Sequence, residues 1–370
     1  MSALEDSNTI SLSPLVLTHP TVSERLRIWK ATYPHWGDAL TFDDYITREV
    51  KNLEFCQEGQ GNFDNWILTD NSAADQRPLF SSCETFKKRA FICGKEGDLR
   101  DGTCCAVASV FTFPEYQGRG YAKKMMTLLG QEIRKFADFS VLWSDIGPRF
   151  YHSVGWKPFE STFIQLPATS HNAIFEDGLE AVKIEDLPHL IKRDEKILLK
   201  QLEVPSDRIR VLILPDLDAI RWHLFHEAFS CQRVLSRTPT IHGAIYTPPN
   251  HPHAQIWAIW TRKIYGQKCE DNTTHVLRLV IEDENISNDA LKSGIRALCR
   301  MAQREANEWA CGTVEIWNPG DRVRKAAEGI EGLGAKLVTR ENHHLSSMQW
   351  LREGSIDEVD WICNEGFAWC

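Results

Sequence analysis

The sequence predicts an α/β (α+β) protein of two domains, on three observations. A chain of 370 residues is longer than one average domain, and its 42% apolar content lets each half bury a core. Residues 104–112 form a strand-like run that a glycine turn joins to an amphipathic helix over 121–136. The order strand, strand, helix, strand, helix, strand in this region recurs between residues 255 and 351, which predicts a quasi-repeat of one fold.

Two helices are predicted at the start of the N-terminal half. Thr21 or Ser23 can cap the first, which spans residues 21–33 and which the Pro-His-Trp-Gly segment at 34–37 should end. Thr41 provides the cap signal of the second helix.

Strands dominate the rest of this half. Residues 65–68 and a stretch around 83–85 are short and flanked by turn residues, whereas 94–102 is a charged turn region. The run CCAVASVFT at 104–112 is small, β-branched and almost wholly apolar, as is typical of a central strand covered on both faces. The remaining predicted elements are a strand over 139–143, a short helix over 148–153 and a strand over 156–166.

The periodic pattern lapses around residues 167–178, where we place a linker between domains at 1–170 and 176–370. The second half shows little periodicity before His253. Beyond it we predict strands over 255–260, 275–281, 314–316 and 347–351, and helices over 288–309 and 322–328.

Composition restricts the partners. A net charge of −9 argues against a nucleic-acid backbone as ligand, because such proteins are normally basic. The N-terminus lacks the pattern of a signal peptide and no run is apolar enough to cross a membrane, which predicts a cytoplasmic protein without membrane contact. The eleven cysteines include no CxxC pair, so we expect free, mostly buried thiols and no metal site.

Residues 117–122, QGRGYA, lie between the strongest strand and the best helix. The first N–H groups of a helix lack intrahelical partners and lie at its positive end, so they attract phosphate. Gly118 and Gly120 let a phosphate approach the backbone, and Arg119 adds a cation. The loop therefore predicts a pyrophosphate cradle, with a plain strand-to-helix turn as the alternative. It lacks the GK[ST] of a P-loop.

The string VFTFPEYQGRGYAKKMM resembles the acetyl-CoA signature of the GNAT N-acetyltransferases, whose core pattern is Q/R-x-x-G-x-G/A. Gln117, Gly120 and Ala122 occupy its named positions. The string FYHSVGW at 150–156 resembles the second signature of the family. SCETF (82–86), SVFTFPEY (109–116) and LWSDIGPRFYHSVGW (142–156) resemble, more narrowly, the fungal L-lysine N6-acetyltransferases.

This resemblance implies a GNAT fold, with a mixed, mostly antiparallel twisted sheet flanked by helices. The 104–112 strand should separate from its neighbour near Val110, and the pantetheine arm should pair there with backbone groups. A pyrophosphate cradle does not itself exclude another adenine nucleotide, such as FAD. The residues that the resemblance assigns to acetyl-CoA are Val110, Phe111, Thr112, Gln117, Gly118, Arg119, Gly120, Tyr121 and Ala122.

Three residues are candidates for proton transfer. The family's usual acid is a tyrosine of the second signature, which corresponds to Tyr151; the alternative is a packing aromatic. Glu84 is the first candidate for the base, because it lies on a strand expected beside the cofactor strand, and Asp145 is the second. Glu84 could instead be a solvated strand residue, and Asp145 could cap a turn. His152 is expected to be structural.

The C-terminus, NEGFAWC, is apolar and aromatic. In some two-domain acetyltransferases of this class the terminal carboxylate reaches the catalytic pocket. The favoured alternative is that Phe367 and Trp369 simply pack onto the second domain. Free lysine would need a cation for its carboxylate, and Arg149, Arg89 and Arg221 are candidates between which the sequence does not choose.

The second domain could be a degenerate GNAT-like unit. Its counterpart of the glycine loop is IEDENISN at 281–288, which has no glycine and three acids that would repel a pyrophosphate. We therefore expect one cofactor site per chain. Three functions stay open: acetyl transfer to a small-molecule amine, with L-lysine as the leading acceptor; acetyl transfer to a protein or peptide; and non-catalytic binding of CoA or another adenine nucleotide.

Overall fold

The structure is a computed structural model that describes residues 14–58, 62–170 and 177–370. The first part of the chain contains β1 (Val16–Thr18), α1 (Val22–Trp36), α2 (Phe42–Glu58), β2 (Phe63–Thr69), β3 (Ser81–Cys93), β4 (Leu99–Thr112), α3 (Tyr121–Ile133), β5 (Phe139–Ser144), α4 (Arg149–His152), β6 (Lys157–Pro158) and β7 (Thr162–Pro167). The second part contains β8 (Leu179–Val182), α5 (Leu187–Leu202), β9 (Ile209–Ile213), α6 (Leu217–Leu235), β10 (Gly243–Tyr246), β11 (Ile256–Lys263), β12 (Thr273–Ile281), α7 (Asn288–Glu308), β13 (Thr313–Trp317), α8 (Asp321–Glu328), β14 (Lys336–Thr339), β15 (Leu345–Trp350) and β16 (Val359–Ile362).

Both predicted N-terminal helices are present. Thr21 caps α1 in a capping box with Glu24, and the Asp44 N–H donates to Thr41 Oγ1 at the start of α2. The first helix ends within the 34–37 segment, as predicted, but not at Pro34, which lies inside α1. The helix continues for two residues to Trp36, and the Gly37 N–H still donates to Tyr33 O at 2.8 Å.

The strand predicted around 83–85 was too short, and the turn predicted over 94–102 was too long. β3 runs to Cys93 and β4 already begins at Leu99, so the two strands form one long antiparallel hairpin in register from Cys93 and Leu99 inwards. Charged residues hid this pairing in the sequence because one face of each strand end is exposed. β4 itself is a central strand between β3 and β5, as predicted.

Within the described ranges, the first sheet has nine strands in the order β1-β2-β3-β4-β5-β15-β6, with β9 pairing β3 and β16 pairing β9. The second sheet has seven strands in the order β8-β10-β11-β12-β13-β7-β14. In both paths all neighbours are antiparallel except the fourth and fifth strands, β4 with β5 and β12 with β13. The predicted mixed, mostly antiparallel fold is confirmed, and so is the quasi-repeat.

Each sheet borrows its sixth strand from the other half of the chain. β7, predicted as the end of one strand over 156–166, is separate from β6 and pairs with β13 of the second sheet. Reciprocally, β15 pairs with β5 of the first sheet. The domain limits at 1–170 and 176–370 stay a prediction, and residues 171–176 of the predicted linker lie outside the described residues. This exchange shows that neither sheet path is completed by its own half alone.

The two sheets face each other across a shared core. On one outer side α3 packs Met125, Met126 and Leu129 onto the first sheet, and on the other α7 packs onto the second sheet. Between the sheets, Phe86 and Ala106 of the first sheet join a cluster that also holds residues of β11 and of the C-terminal segment. Functional groups on the inner face of β3 therefore point at the second half of the chain.

Candidate functional site

β4 and β5 pair in parallel from Cys104 with Phe139 to Ala106 with Val141, and then separate. Both strands continue, to Thr112 and Ser144, without further pairing between them in the described structure. We call this wedge the first cleft. It opens four residues before Val110, the point expected from the sequence, and the backbone edge of β4 that faces it has no strand partner.

The glycine loop closes the wide end of the first cleft. Gly118 and Gly120 adopt φ of +72° and +80°, and a Cβ at either position would meet nothing within 4 Å. Glycine is required there by the backbone conformation rather than by crowding. Gly120 is the N-cap of α3 and offers no side-chain cap, so the loop leaves the helix N-terminus open to a ligand.

The loop amides are free to bind an anion. In the described part of the chain, the N–H groups of residues 118–123 donate no hydrogen bond, whereas the Gln117 and Lys124 amides do. The first turn of α3 contains no acidic residue, and Arg119, Lys123 and Lys124 are exposed around it. These unused donors, at the positive end of a helix and surrounded by cations, fit a pyrophosphate.

The neighbouring predicted cofactor residues hold the loop in place. Tyr121 stacks on Phe80 of the segment before β3, with ring centroids 4.4 Å apart, and Gln117 Nε2 donates to Thr112 O at 3.2 Å. Phe111 is buried against the α1 side of the sheet, while Val110 lies on the α3 side. Ala122 is half-buried at the start of α3.

Glu84 lies on the inner face of β3, opposite Ala108 in β4. Its carboxylate accepts hydrogen bonds from Ser109 Oγ at 2.7 Å and from Asn65 Nδ2 at 3.1 Å. Burial, reinforced by the negative charge of Glu49, raises the pKa of Glu84 to about 7, although its two hydrogen bonds oppose the shift. A carboxylate with this pKa can both accept and release a proton near neutral pH.

Sequence reasoning did not identify Ser109. It lies in a β-bulge, where β4 carries two residues, Ser109 and Val110, opposite Cys83 alone. Ser109 adopts φ of +52°, and this turns its hydroxyl to Glu84. No motif signals a bulge in a run of small apolar residues, but the register of β3 against β4 does.

Tyr151 follows the first cleft on α4 and is 9% exposed. Its ring packs in the α3-side cluster with Met126 and Leu142. Burial raises the pKa of Tyr151, so its hydroxyl stays protonated at neutral pH. The hydroxyl has no hydrogen-bond partner in the described ranges, as expected of a group that serves a ligand or of an aromatic that only packs.

Asp145 is separated from Glu84 and belongs to a different environment. Its side chain is 58% exposed, and its carboxylate accepts the His344 N–H at 2.9 Å, with His344 Nδ1 at 3.3 Å. His344 precedes β15, so this contact joins the edge of the first cleft to the second half of the chain. The turn after Asp145 is capped by Ser144, whose Oγ donates to Gly147 O at 2.7 Å and accepts the Ile146 N–H at 3.3 Å. Asp145 contacts the distant His344 instead, which favours a structural role over that of a base.

The C-terminal residues fill the space between the sheets. Phe367 is 0% exposed and its carbonyl lies 3.1 Å from His223 Nε2. The Trp369 ring contacts His223, His275, Trp317 and His344. The favoured expectation, that Phe367 and Trp369 pack onto the second half of the chain, agrees with these contacts. Cys370 then lines a cavity beside β3.

Lys263 is a second residue that the sequence did not indicate. Its Nζ lies 4.7 Å from the centroid of Trp369 and 5.5 Å from that of Trp222. Burial lowers the pKa of Lys263 to about 8, with Asp38 opposing the shift. The two aromatic rings, together with the charge of Asp38, stabilise the cationic form of Lys263 against burial.

Comparison with known proteins assigns the fold and the family. The model of the LYC1 GNAT-like C-terminal domain matches residues 163–370, more than half of the chain. The chain belongs to this family. An acetyltransferase (GNAT) domain model also matches residues 100–159, which contain the glycine loop and Tyr151. The protein is therefore an acyltransferase of GNAT type, as its signatures indicated.

Two curated relatives are yeast proteins. The uncharacterized protein YGR111W of Saccharomyces cerevisiae is 21% identical over 90% of this chain and 92% of its own length. The lysine acetyltransferase of Yarrowia lipolytica is 29% identical over 141 residues, which are 33% of this chain and 35% of that protein.

Solved structures share the architecture. A probable N-acyltransferase from Enterococcus faecalis V583 superimposes with a TM-score of 0.55 at 11% identity, over 92% of this chain and 73% of that one. A GCN5-related N-acetyltransferase from Anabaena variabilis gives a TM-score of 0.54 at 16% identity, over the same shares of the two chains. At these identities the similarity establishes the GNAT fold alone.

The second sheet of this chain contains an equivalent cleft, which we call the second cleft: β12 and β13 pair as far as Val276 with Ile316, and β12 continues beyond that point to Ile281. The chain's own tail occupies its mouth. Glu365 Oε2 accepts the Leu279 N–H of β12 at 3.0 Å, and Asn318 Nδ2 after β13 donates to Asn364 O at 2.6 Å. Bonds that β12 would otherwise offer to a ligand are thus made within the chain.

No metal is indicated by the geometry. Within residues 14–58, 62–170 and 177–370, no group of three or more His, Cys, Asp and Glu side chains is arranged to hold an ion. No helix in these ranges has the length and apolar character needed to cross a bilayer.

Proposed function

We propose that this GNAT protein transfers the acetyl group of acetyl-CoA to a small-molecule amine, with the ε-amine of L-lysine as the leading acceptor. The observation that carries the proposal is the combination of an open first cleft with a glycine loop whose amides have no hydrogen-bond partner among the described residues. Glu84 supplies the proton acceptor beside that cleft. The reaction needs no metal or covalent enzyme intermediate, since amine and thioester can react directly when held together.

Acetyl-CoA fits the residues of the first cleft. The amides of residues 118–122, together with Arg119, would hold its pyrophosphate. The unpaired edge of β4, at Val110, Phe111 and Thr112, would pair with the amide groups of the pantetheine arm as a neighbouring strand does. Gln117 and Tyr121 would keep the loop in shape. Acetyl-CoA supplies the activated acetyl thioester. The match to an acetyltransferase domain gives no support to FAD as the cofactor.

Glu84 is the proposed base. A lysine ε-amine with a pKa of about 10.4 is almost wholly protonated at pH 7 and cannot attack a carbonyl in that form. A carboxylate whose pKa is about 7 is ionised in a large fraction of molecules and accepts that proton, directly or through water. Ser109 and Asn65 orient the two carboxylate oxygens.

Tyr151 is the proposed acid. When the amine nitrogen bonds to the carbonyl carbon, the carbon–sulfur bond breaks and the sulfur leaves as a thiolate. A phenol kept neutral by burial can deliver a proton to that sulfur. Asp145 remains the second candidate for the base, and its 58% exposure and its bonds to His344 favour a structural role.

L-Lysine is proposed as the acceptor on two supports. The first is the narrow resemblance of the strings at 82–86, 109–116 and 142–156. The second is the Yarrowia lipolytica relative named as a lysine acetyltransferase, which matches a third of this chain.

Release of CoA thiol tests the proposal directly. The full-length protein is mixed with acetyl-CoA and, in parallel, with L-lysine, L-ornithine, diamines or a lysine-containing peptide. We expect the fastest release with L-lysine. Faster release with the peptide than with L-lysine would mean that the acceptor is a protein or peptide. No release with any amine, from protein that binds CoA, would overturn the catalytic proposal and leave a binding protein.

A further inference from the structure

A cavity of about 450 Å³ lies between β3, the end of α2 and the start of α6. Its walls include the rings of Phe63, Phe86 and Trp222, and Cys370 lines it as well. Because Glu84, Phe86 and Lys88 alternate along β3, all three share the inner face of the sheet. The cavity therefore lies on the same face as the proposed base.

Four cations line this cavity: Lys87, Lys88, Arg89 and Arg221. Lys88 is half-buried and has neither an ion pair nor a hydrogen bond in the described part of the chain, and Arg221 has no ion pair there. A half-buried cation without a partner is costly, so such a site favours an anion from outside. Arg89 is held loosely, with Glu195 Oε1 at 3.5 Å.

Two acids complete the lining. Asp216 caps α6 through the Ala219 N–H, and Asp218 is exposed one residue into that helix. Burial, reinforced by the negative charge of Asp216, raises the pKa of Asp218, and the charges of Arg221 and Arg89 oppose this shift. The cavity thus presents positive and negative groups side by side above an aromatic wall.

We propose that this cavity binds the α-carboxylate and α-ammonium of a free amino acid acceptor, with Lys88 and Arg221 on the carboxylate and Asp216 and Asp218 on the ammonium. The inference rests on the proposed acetyl transfer. It also selects among the arginines considered from the sequence: Arg89 and Arg221 line the cavity and Arg149 does not. The acceptor's side chain then passes Phe86 towards Glu84.

The spacing favours a long acceptor side chain. Glu84 and Lys88 are four residues apart on one strand, about 13 Å between their Cα atoms. Cys370 lines the same cavity, and burial raises the pKa of its thiol to about 11, so the thiol is neutral at pH 7. Lys88 makes no ion pair with any carboxylate of the described residues, so its charge remains available to a ligand.

The test compares L-lysine with 1,5-diaminopentane, which carries the same terminal amine without the α-carboxylate. In Arg221→Gln we expect KM for L-lysine to rise about 10-fold or more, with kcat within about twofold, because a charge-assisted contact made equally in ground and transition states is lost. KM for 1,5-diaminopentane should not change. Lys88→Gln should have the same effect as Arg221→Gln. Lys200→Gln, a change at an exposed residue of α5, is the control and should alter KM for neither amine.

A binding measurement separates this inference from the proposed function. Titration of L-lysine into the protein with CoA, followed by calorimetry, reports the site without turnover. Binding that Arg221→Gln weakens, in protein without transferase activity, would keep the amino acid site and reject the reaction. If the protein acetylates L-lysine but Arg221→Gln changes KM equally for L-lysine and 1,5-diaminopentane, or changes neither, the amino acid site is overturned and the reaction is kept. Neither transfer nor binding would overturn both.

Discussion

The first and second clefts are built on the same strand order but hold opposite chemistry. The first ends in a glycine loop with unused amides and no acid in the first turn of α3. The second ends in an acidic loop before α7, whose amide at Ala290 is already bonded to Ser287, and Asp289 lies in its first turn. Because the strand order is the same, the residues of the loop before the helix determine which cleft can bind a phosphate.

The acid and base candidates are also confined to the first cleft. β12 carries a bulge at Leu277, as β4 does at Ser109. The residue that pairs just before the bulge is Glu84 in the first sheet and the fully buried Trp260 in the second. The sequence of α8 contains no tyrosine, where α4 has Tyr151. One repeat therefore keeps ionisable groups at its cleft, whereas the other uses the equivalent positions for packing.

Removing the base should give the largest effect. In Glu84→Gln we expect kcat to fall by about 10²–10⁴-fold, because the ammonium of the acceptor loses its proton acceptor. The rise of wild-type rate through pH of about 7 should disappear with it, while CoA affinity is unchanged. Asp145→Asn is the comparison; a larger loss there than in Glu84→Gln would transfer the role to Asp145.

Placing an acid in the glycine loop should make the first cleft resemble the second. Gly120→Asp is expected to weaken CoA binding about 100-fold, because the new carboxylate meets the pyrophosphate. Calorimetric titration with CoA measures this. Gly332→Asp is the matched control, since its φ of +73° and open surroundings impose the same backbone cost away from the cleft. Equal affinities in the two variants would contradict a phosphate site at the loop.

Tyr151→Phe should lower kcat about 10- to 100-fold with little change in the free energy of unfolding, since no hydrogen bond of the hydroxyl is lost. The loss should shrink with an acyl donor whose thiol is more acidic, because that leaving group needs less proton donation. A loss independent of the thiol would reduce Tyr151 to a packing residue.

Weakening the contacts that Asn364 and Glu365 make at the second cleft should lower stability without affecting the first cleft. Glu365→Gln leaves Arg278 with Asp194 as its carboxylate partner and weakens the bond from the Leu279 N–H, at a cost of about 1–3 kcal/mol in urea unfolding. CoA affinity should not change. An equal loss of CoA affinity would mean that the two clefts are coupled.

The smallest expected effect is on the pH dependence of stability. The pKa of Glu84 is raised to about 7 in the folded state from its usual 4.5, so the folded protein binds this proton more tightly than the unfolded chain does. Ionisation of Glu84 therefore lowers stability as pH rises from about 4.5 to about 7. Glu84→Gln should raise the thermal midpoint at pH 8 relative to wild type and have no such benefit at pH 4.

The sequence by itself determined the local features: the caps at Thr21 and Thr41, the strand–glycine loop–helix unit, the acidic loop of the second half and the family. Each depends on short strings or on elements adjacent in the chain, where propensity and hydrogen bonding act without distant residues.

Tertiary structure alone decided the long-range features. The exchange of β7 and β15, the bulge at Ser109, the meeting of Lys88 with Arg221 and the tail at the second cleft all join distant residues. The elements between residues 179 and 246 were not predicted either, because short strands and partly buried helices of a shared core show little periodicity. Pairing and burial across the two sheets fix these positions, and no local pattern encodes them.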